Sequence, residues 1–197
     1  MKNNIIGLFL LLCTLNIQSV SAQRHYRPEI SVGVKFGTNL SNTTFQPKVQ
    51  EGLLLGYMGG LSFRYIEEKH FGFIVEANFS QQGWKEDFEN EPYQFSRKMN
   101  YIQIPFMSHI FFGNKFFRGF VNLGPQVGFF ISDSYKSNFD INNPPTFTSS
   151  NRETQQYTMP IANKVDYGIT AGAGLEFRIL RSSFLLESRY YFGLGDF

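Results

Sequence analysis

Two-residue alternation between apolar and small or polar side chains recurs along this chain, and only a β-strand with two different faces satisfies that period. In residues 30–40, Ile30, Val32, Val34 and Phe36 share one face, while Ser31, Gly33, Lys35, Gly37 and Asn39 share the other. Residues 53–65 set Leu53, Leu55, Tyr57, Leu61, Phe63 and Tyr65 against Gly56, Gly60, Ser62 and Arg64. Residues 71–84 set Phe71, Phe73, Val75, Ala77 and Phe79 against Gly72, Glu76, Asn78, Ser80 and Gln82. Residues 101–111 are less regular, whereas 119–131, 165–177 and 184–194 alternate again, most cleanly in 165–177. Strands of 11 to 13 residues exceed the usual length of about 5 to 6 in globular sheets and match the roughly 9 to 11 tilted residues that cross a bilayer. With 18 Gly, 23 Phe and 10 Tyr, the composition suits strands, not helices.

The connections alternate in length. Those at 41–52, 85–98 and 132–164 are long, and those at 66–70, 113–115 and 180–183 are short. An up-and-down barrel of the bacterial outer membrane has short periplasmic turns and long outer loops, which a chain starting in the periplasm reproduces here. The fold expected is therefore an all-β, antiparallel up-and-down transmembrane barrel of the eight-stranded type. Seven strands are visible and the returning one is missing, so the chain reads as a fragment, because unpaired edges in lipid cost several kcal/mol per backbone group.

The inward face carries Lys35, Arg64, Arg178 and Arg189 against Glu76, Asp166, Glu176 and Glu187. Side chains just fill a barrel of about eight strands, so paired charges here predict a plugged lumen in place of an aqueous pore. Glycines four residues apart on the same face, such as Gly168 and Gly172, leave room for neighbours. Tyr65, Phe71, Phe112, Phe116 and Phe117 at the periplasmic end, and Trp84 and Tyr101 at the outer end, are expected to form interfacial aromatic girdles.

Residues 1–22 have the layout of a secretory signal peptide. Lys2 precedes an apolar run, and Val20-Ser21-Ala22 predicts cleavage between Ala22 and Gln23. A periplasmic leader at 23–29 and a barrel domain at 30–197 would follow. The single cysteine, Cys13, lies in the predicted signal, so the mature chain has no disulfide or thiolate metal site. The formal net charge of +2, without a run of one sign, argues against nucleic acid as a partner.

Chemistry is sparsely signalled. His25, His70 and His109 have no Ser or carboxylate at a spacing that builds a nucleophile and its base, so no catalytic, cofactor or metal site is expected. Gly172-Ala173-Gly174 imitates a phosphate loop, but Phe177 stands where the third glycine belongs and a strand surrounds it. Residues 132–164, with Pro144-Pro145 and many Asn, Ser and Thr, read as a surface loop or a docking surface.

Several short motifs carry a resemblance: Ser31 to Gly37 (SVGVKFG), Glu68 to Gly72 (EKHFG), Gln82 to Glu86 (QGWKE), Tyr101 to Pro105 (YIQIP), Asp166-Tyr167-Gly168, Gly172 to Glu176, and Glu187 to Asp196. With these the chain resembles the PorT-like, porin-family outer-membrane β-barrel proteins of Gram-negative bacteria that use type IX secretion. The resemblance implies an eight-stranded barrel, a bacterial outer-membrane location after signal-peptide export, and a non-enzymatic role in protein export. Its partners would be outer-membrane lipid and other envelope or secretion proteins. The alternative is a structural or adhesive envelope barrel with a closed lumen; a small-solute porin and a soluble ligand-binding barrel rank behind it.

Overall fold

The computed structural model describes residues 28–41, 51–86, 88, 92–145, 157–158, 161 and 163–195. The predicted signal, the Ala22/Gln23 cleavage site and His25 lie outside them. One antiparallel sheet runs through β1 (Glu29–Ser41), β3 (Leu54–Ile66), β4 (Phe71–Glu86), β5 (Phe95–Gly113), β6 (Phe117–Ser137), β7 (Val165–Ile179) and β8 (Ser182–Gly193). A two-residue piece, β2 (Glu51–Gly52), pairs with Lys85 and Glu86 of β4. Each long strand pairs with its neighbour in sequence, the up-and-down order of a barrel wall. No eighth long strand stands among the described residues, and β1 and β8 are the two edges of the sheet.

The short turns show why the strands reverse where they do. Between β5 and β6 the Asn114 side chain accepts hydrogen bonds from the backbone N–H groups of Phe116 and Phe117, at 2.8 and 2.9 Å, an Asx turn that closes the hairpin locally. Gly113 opens this turn at φ +144°, and a Cβ there would stand 2.3 Å from the Phe117 carbonyl oxygen, so the position requires glycine. Between β7 and β8 the turn is only Leu180–Arg181, closed by the Ile179–Ser182 pair.

Two strands are longer than the alternation suggests. β4 continues to Glu86 and β5 begins at Phe95, so much of the expected 85–98 loop is paired sheet. β5 is also regular: Phe95, Arg97, Met99, Tyr101, Gln103, Pro105, Met107, His109 and Phe111 all point inward and are buried. Its irregularity in sequence arises because both of its faces are largely apolar, one toward lipid and one toward the lumen. Likewise β6 runs on to Ser137, and only then does the chain leave the sheet.

The outward face is an uncharged band. On β5 it runs from Ile102 through Ile104, Phe106, Ser108 and Ile110 to Phe112, and above it Ser96, Lys98 and Asn100 take the outward places. Eleven residues cover about 33 Å of strand, which at a tilt of roughly 40° gives about 25 Å along the membrane normal, the height of an outer-membrane apolar band.

Candidate functional site: a clasped and plugged lumen

The inward face has three tiers. At the periplasmic end, Ile66, Phe111 and Phe120 form a small apolar plug, with His109 stacked on Phe111 and tilted against Phe120 at centroid distances of 5.3 and 5.2 Å. Beside it the Arg64 guanidinium donates to Glu176 at 2.9 Å, and Arg178 reaches both Glu176, at 4.0 Å, and Glu29 of β1. Arg118 lies 3.9 Å from the second Glu176 oxygen and covers the Phe111 ring at 4.6 Å. Glu176 is wholly buried, so these cations are what make its charge tolerable there.

The middle tier is a directed chain of hydrogen bonds. His109 Nδ1 lies 2.7 Å from Asn122 Oδ1, and Asn122 Nδ2 donates to Glu187 at 2.8 Å. Arg189 then donates to both carboxylates, at 2.7 Å to Glu187 and 2.8 Å to Glu76. Lys35 Nζ reaches both Glu76 oxygens at 3.1 Å and stands 3.6 Å from Glu187, while Asn78 adds a further bond to Glu76 at 2.8 Å. Gly172 makes room for this tier, since a Cβ on it would meet Glu187 Oε1 at 2.5 Å. Bidentate and charge-assisted contacts of this kind are the strong hydrogen bonds of proteins.

The upper tier is aromatic. Trp84, Phe88, Phe95, Met99, Tyr101 and Tyr157 form a buried cluster, joined by Tyr93, Phe130, Phe139, Ile141 and Ile161. Several of these come from the outer connections, which therefore fold down over the barrel mouth. Tyr157 fixes the lid by donating to Glu86 at 2.7 Å and packing on Phe95 with centroids 4.7 Å apart. At the rim, Arg97 donates to Asp133 at 2.7 Å with its guanidinium 5.8 Å from the Trp84 ring centre.

Against this geometry, seven of the eight proposed lumen charges, Lys35, Arg64, Glu76, Glu176, Arg178, Glu187 and Arg189, stand in ion pairs. Asp166 differs: it accepts a 2.8 Å hydrogen bond from the Tyr191 hydroxyl, and its cross-strand partner on β6 is Gly128. Glu29 and Arg118 belong to the network and were not anticipated. Both have the strand parity of the inward face, and Arg118 stands directly opposite Glu176 once the β6–β7 register is known.

The girdle expectation needs a correction. Tyr65, Phe71, Phe112, Phe116 and Phe117 lie at the periplasmic end, all partly or largely exposed. Trp84 and Tyr101, at 5 % and 1 % exposure, point into the lumen and build the outer plug, so they are not part of a lipid-facing belt. Their parity decides this, since Trp84 shares the face of Glu76 and Gln82, and Tyr101 that of Gln103 and His109.

The family model described as outer membrane protein beta-barrel domain matches residues 21–197. The chain belongs to this family. No curated protein and no solved structure matches it. Membership in the outer membrane protein beta-barrel family makes the uncharged band the lipid-facing surface of an integral protein of the bacterial outer membrane, and places the clasped and plugged face on the barrel's inside. Among the described residues no group of three or more His, Cys, Asp or Glu is gathered as a metal ion requires. His70 holds a periplasmic turn, its Nδ1 3.0 Å from the Phe111 carbonyl oxygen and its ring stacked on Phe112 at 5.2 Å.

Proposed function

We propose that this outer-membrane barrel is a non-enzymatic component of protein export, of the kind its PorT-like motifs imply in type IX secretion, and that it acts through its outer surface and periplasmic turns. The observation that carries the reading is the filling of the lumen. Ion pairs occupy its middle, and an aromatic lid built partly from the outer connections covers its mouth. Side chains filling the described lumen and its mouth argue against a solute channel, and the described parts of the outer connections are shaped into a surface. Barrels of this family are typically non-enzymatic, in keeping with such a role.

Deleting the gene in its own host and quantifying secreted cargo in medium and periplasm by mass spectrometry tests it. Periplasmic accumulation that complementation reverses supports export. Normal secretion sinks it and leaves the second reading, a structural or adhesive envelope barrel, favoured by the same folded lid and marked by detergent sensitivity without cargo retention.

A further inference from the structure

We infer that the outward face of β4, β5 and β6, just above the apolar band, is a docking platform for a phosphate-bearing lipid of the outer leaflet. The inference rests on the lipid-facing assignment of this wall and not on the export reading.

Strand register builds the platform. Lys85 of β4 pairs with Ser96 of β5, and Ser96 pairs with Lys136 of β6. One step nearer the membrane, Lys98 stands between Gly83 and Ser134, and below it Asn100 stands between Gln81 and Ser132. These positions on three adjacent strands hold Lys85, Lys98 and Lys136 among neutral polar residues and a glycine, with no acid between them. Cross-strand neighbours are about 5 Å apart and residues two along a strand about 7 Å, so the lysines stand within about 10 Å of one another. Lys85 and Lys136 are exposed and Lys98 partly so, and none of the three has an ion pair or hydrogen bond among the described residues. On the inward face, by contrast, Lys35, Arg64, Arg178 and Arg189 are each matched to a carboxylate. Like charges so close repel one another unless an anion is shared between them.

What lies beneath decides the source of that anion. Phe79, Ile102 and Phe129 form the next row in register and open the lipid-facing band. A free phosphate ion gains nothing from such a wall, whereas a lipid lays its acyl chains along it and lifts its headgroup to the lysines. Lysine side chains beside hydrocarbon extend their ammonium groups to this headgroup level, where clustered cations bind anionic lipid. Between the cations, Ser96 and Ser134 offer hydroxyls, and the Asn100 side chain donates to Ser132 at 3.0 Å, so polar groups continue down to the edge of the apolar band. The fitting partner is thus a lipid whose headgroup carries phosphate and further hydrogen-bonding oxygens.

The probe is diphosphoryl lipid A, titrated into the detergent-purified full chain while native mass spectrometry counts the bound lipid. Two triple variants lose equal charge. One carries Lys85→Gln, Lys98→Gln and Lys136→Gln, and the other carries Lys69→Gln, Lys115→Gln and Arg181→Gln in the exposed periplasmic turns. The platform predicts that the first weakens binding roughly tenfold or more and that the second leaves it within about twofold of the parent. Lipid A stripped of its phosphates should bind the parent as weakly as the diphosphoryl form binds the first variant. Equal losses in the two variants, or full binding of the stripped lipid, would overturn the platform. Inorganic phosphate that displaces the lipid at equal concentration would also overturn it and leave a free-anion site. Gel heat-modifiability verifies that each variant is folded. Lys98→Gln alone, expected to weaken binding about threefold or more, replaces the first triple variant if that one is not.

Discussion

Glu76 on β4 and Arg189 on β8 are 113 residues apart in sequence and meet as a bidentate pair, Nη1 to Oε2 at 2.8 Å and Nη2 to Oε1 at 3.1 Å. The same carboxylate takes Lys35 from β1. One side chain on an inner strand thus ties together the two edges that share no backbone hydrogen bond. Arg178 of β7 and Glu29 of β1 repeat the device near the periplasmic end. Ion pairs behind the described sheet thus link its first and last strands from the inside.

Removing Glu76 should therefore do more than remove one pair. Glu76→Ala leaves Arg189 and Lys35 with only Glu187 between them, and breaking a buried pair costs about 3 to 5 kcal/mol. Asp133→Ala at the outer rim, where the carboxylate is 32 % exposed, should cost about 1 kcal/mol or less. Urea unfolding in lipid vesicles of the two variants and the parent measures both; similar losses would show that Glu76 is no clasp.

Trp84 is the only tryptophan in the chain, so its fluorescence reports on the outer plug directly. A ring at 5 % exposure inside the lumen emits in the blue and is reached neither by iodide nor by brominated lipid tails. Phe95→Ala takes away a packing partner 6.5 Å from the indole and should cost about 3 to 5 kcal/mol, red-shift the emission and admit iodide. Strong quenching of the parent by brominated lipid would return Trp84 to the interfacial belt.

How far this arrangement was legible depends on the strand. β7 declares itself because its inward residues, Asp166, Gly168, Thr170, Gly172, Gly174 and Glu176, are all small or polar. β5 does not, since Tyr101, Met107 and Phe111 build apolar plugs and erase the contrast between faces. Aromatic type misled where parity was the better guide, as Trp84 and Tyr101 show. The clasp was legible as a set of charges on one face, but its pairing was not. Which cation meets Glu76 depends on the curvature that carries β1 and β8 toward β4, a property of the whole sheet.

The lipid-facing band makes its own prediction. Leu123 faces outward near the middle of the uncharged run on β6, and Leu123→Lys should destabilise the folded barrel by about 2 to 4 kcal/mol. Ser132→Lys lies above the band, where outward Lys98 already stands nearby, and should change stability by about 0.5 kcal/mol or less. Equal effects at the two sites would mean that this face does not meet hydrocarbon.

Among the described residues other than glycine, Leu180 has the positive φ. It is fully exposed in the two-residue turn between β7 and β8 and has φ +56°, while Arg181 has negative φ. That is the turn type whose first central residue is ordinarily glycine, and a left-handed conformation costs a side-chain-bearing residue roughly 1 to 2 kcal/mol. Leu180→Gly removes this strain but gives the unfolded chain about 0.5 to 1 kcal/mol of extra freedom, so the net gain should be about 1 kcal/mol. The gain should appear mainly as slower unfolding if the hairpin forms late, because interactions absent from the folding transition state act on the unfolding rate. A destabilised Leu180→Gly protein would mean that the exposed side chain contributes more at the periplasmic interface than its backbone costs.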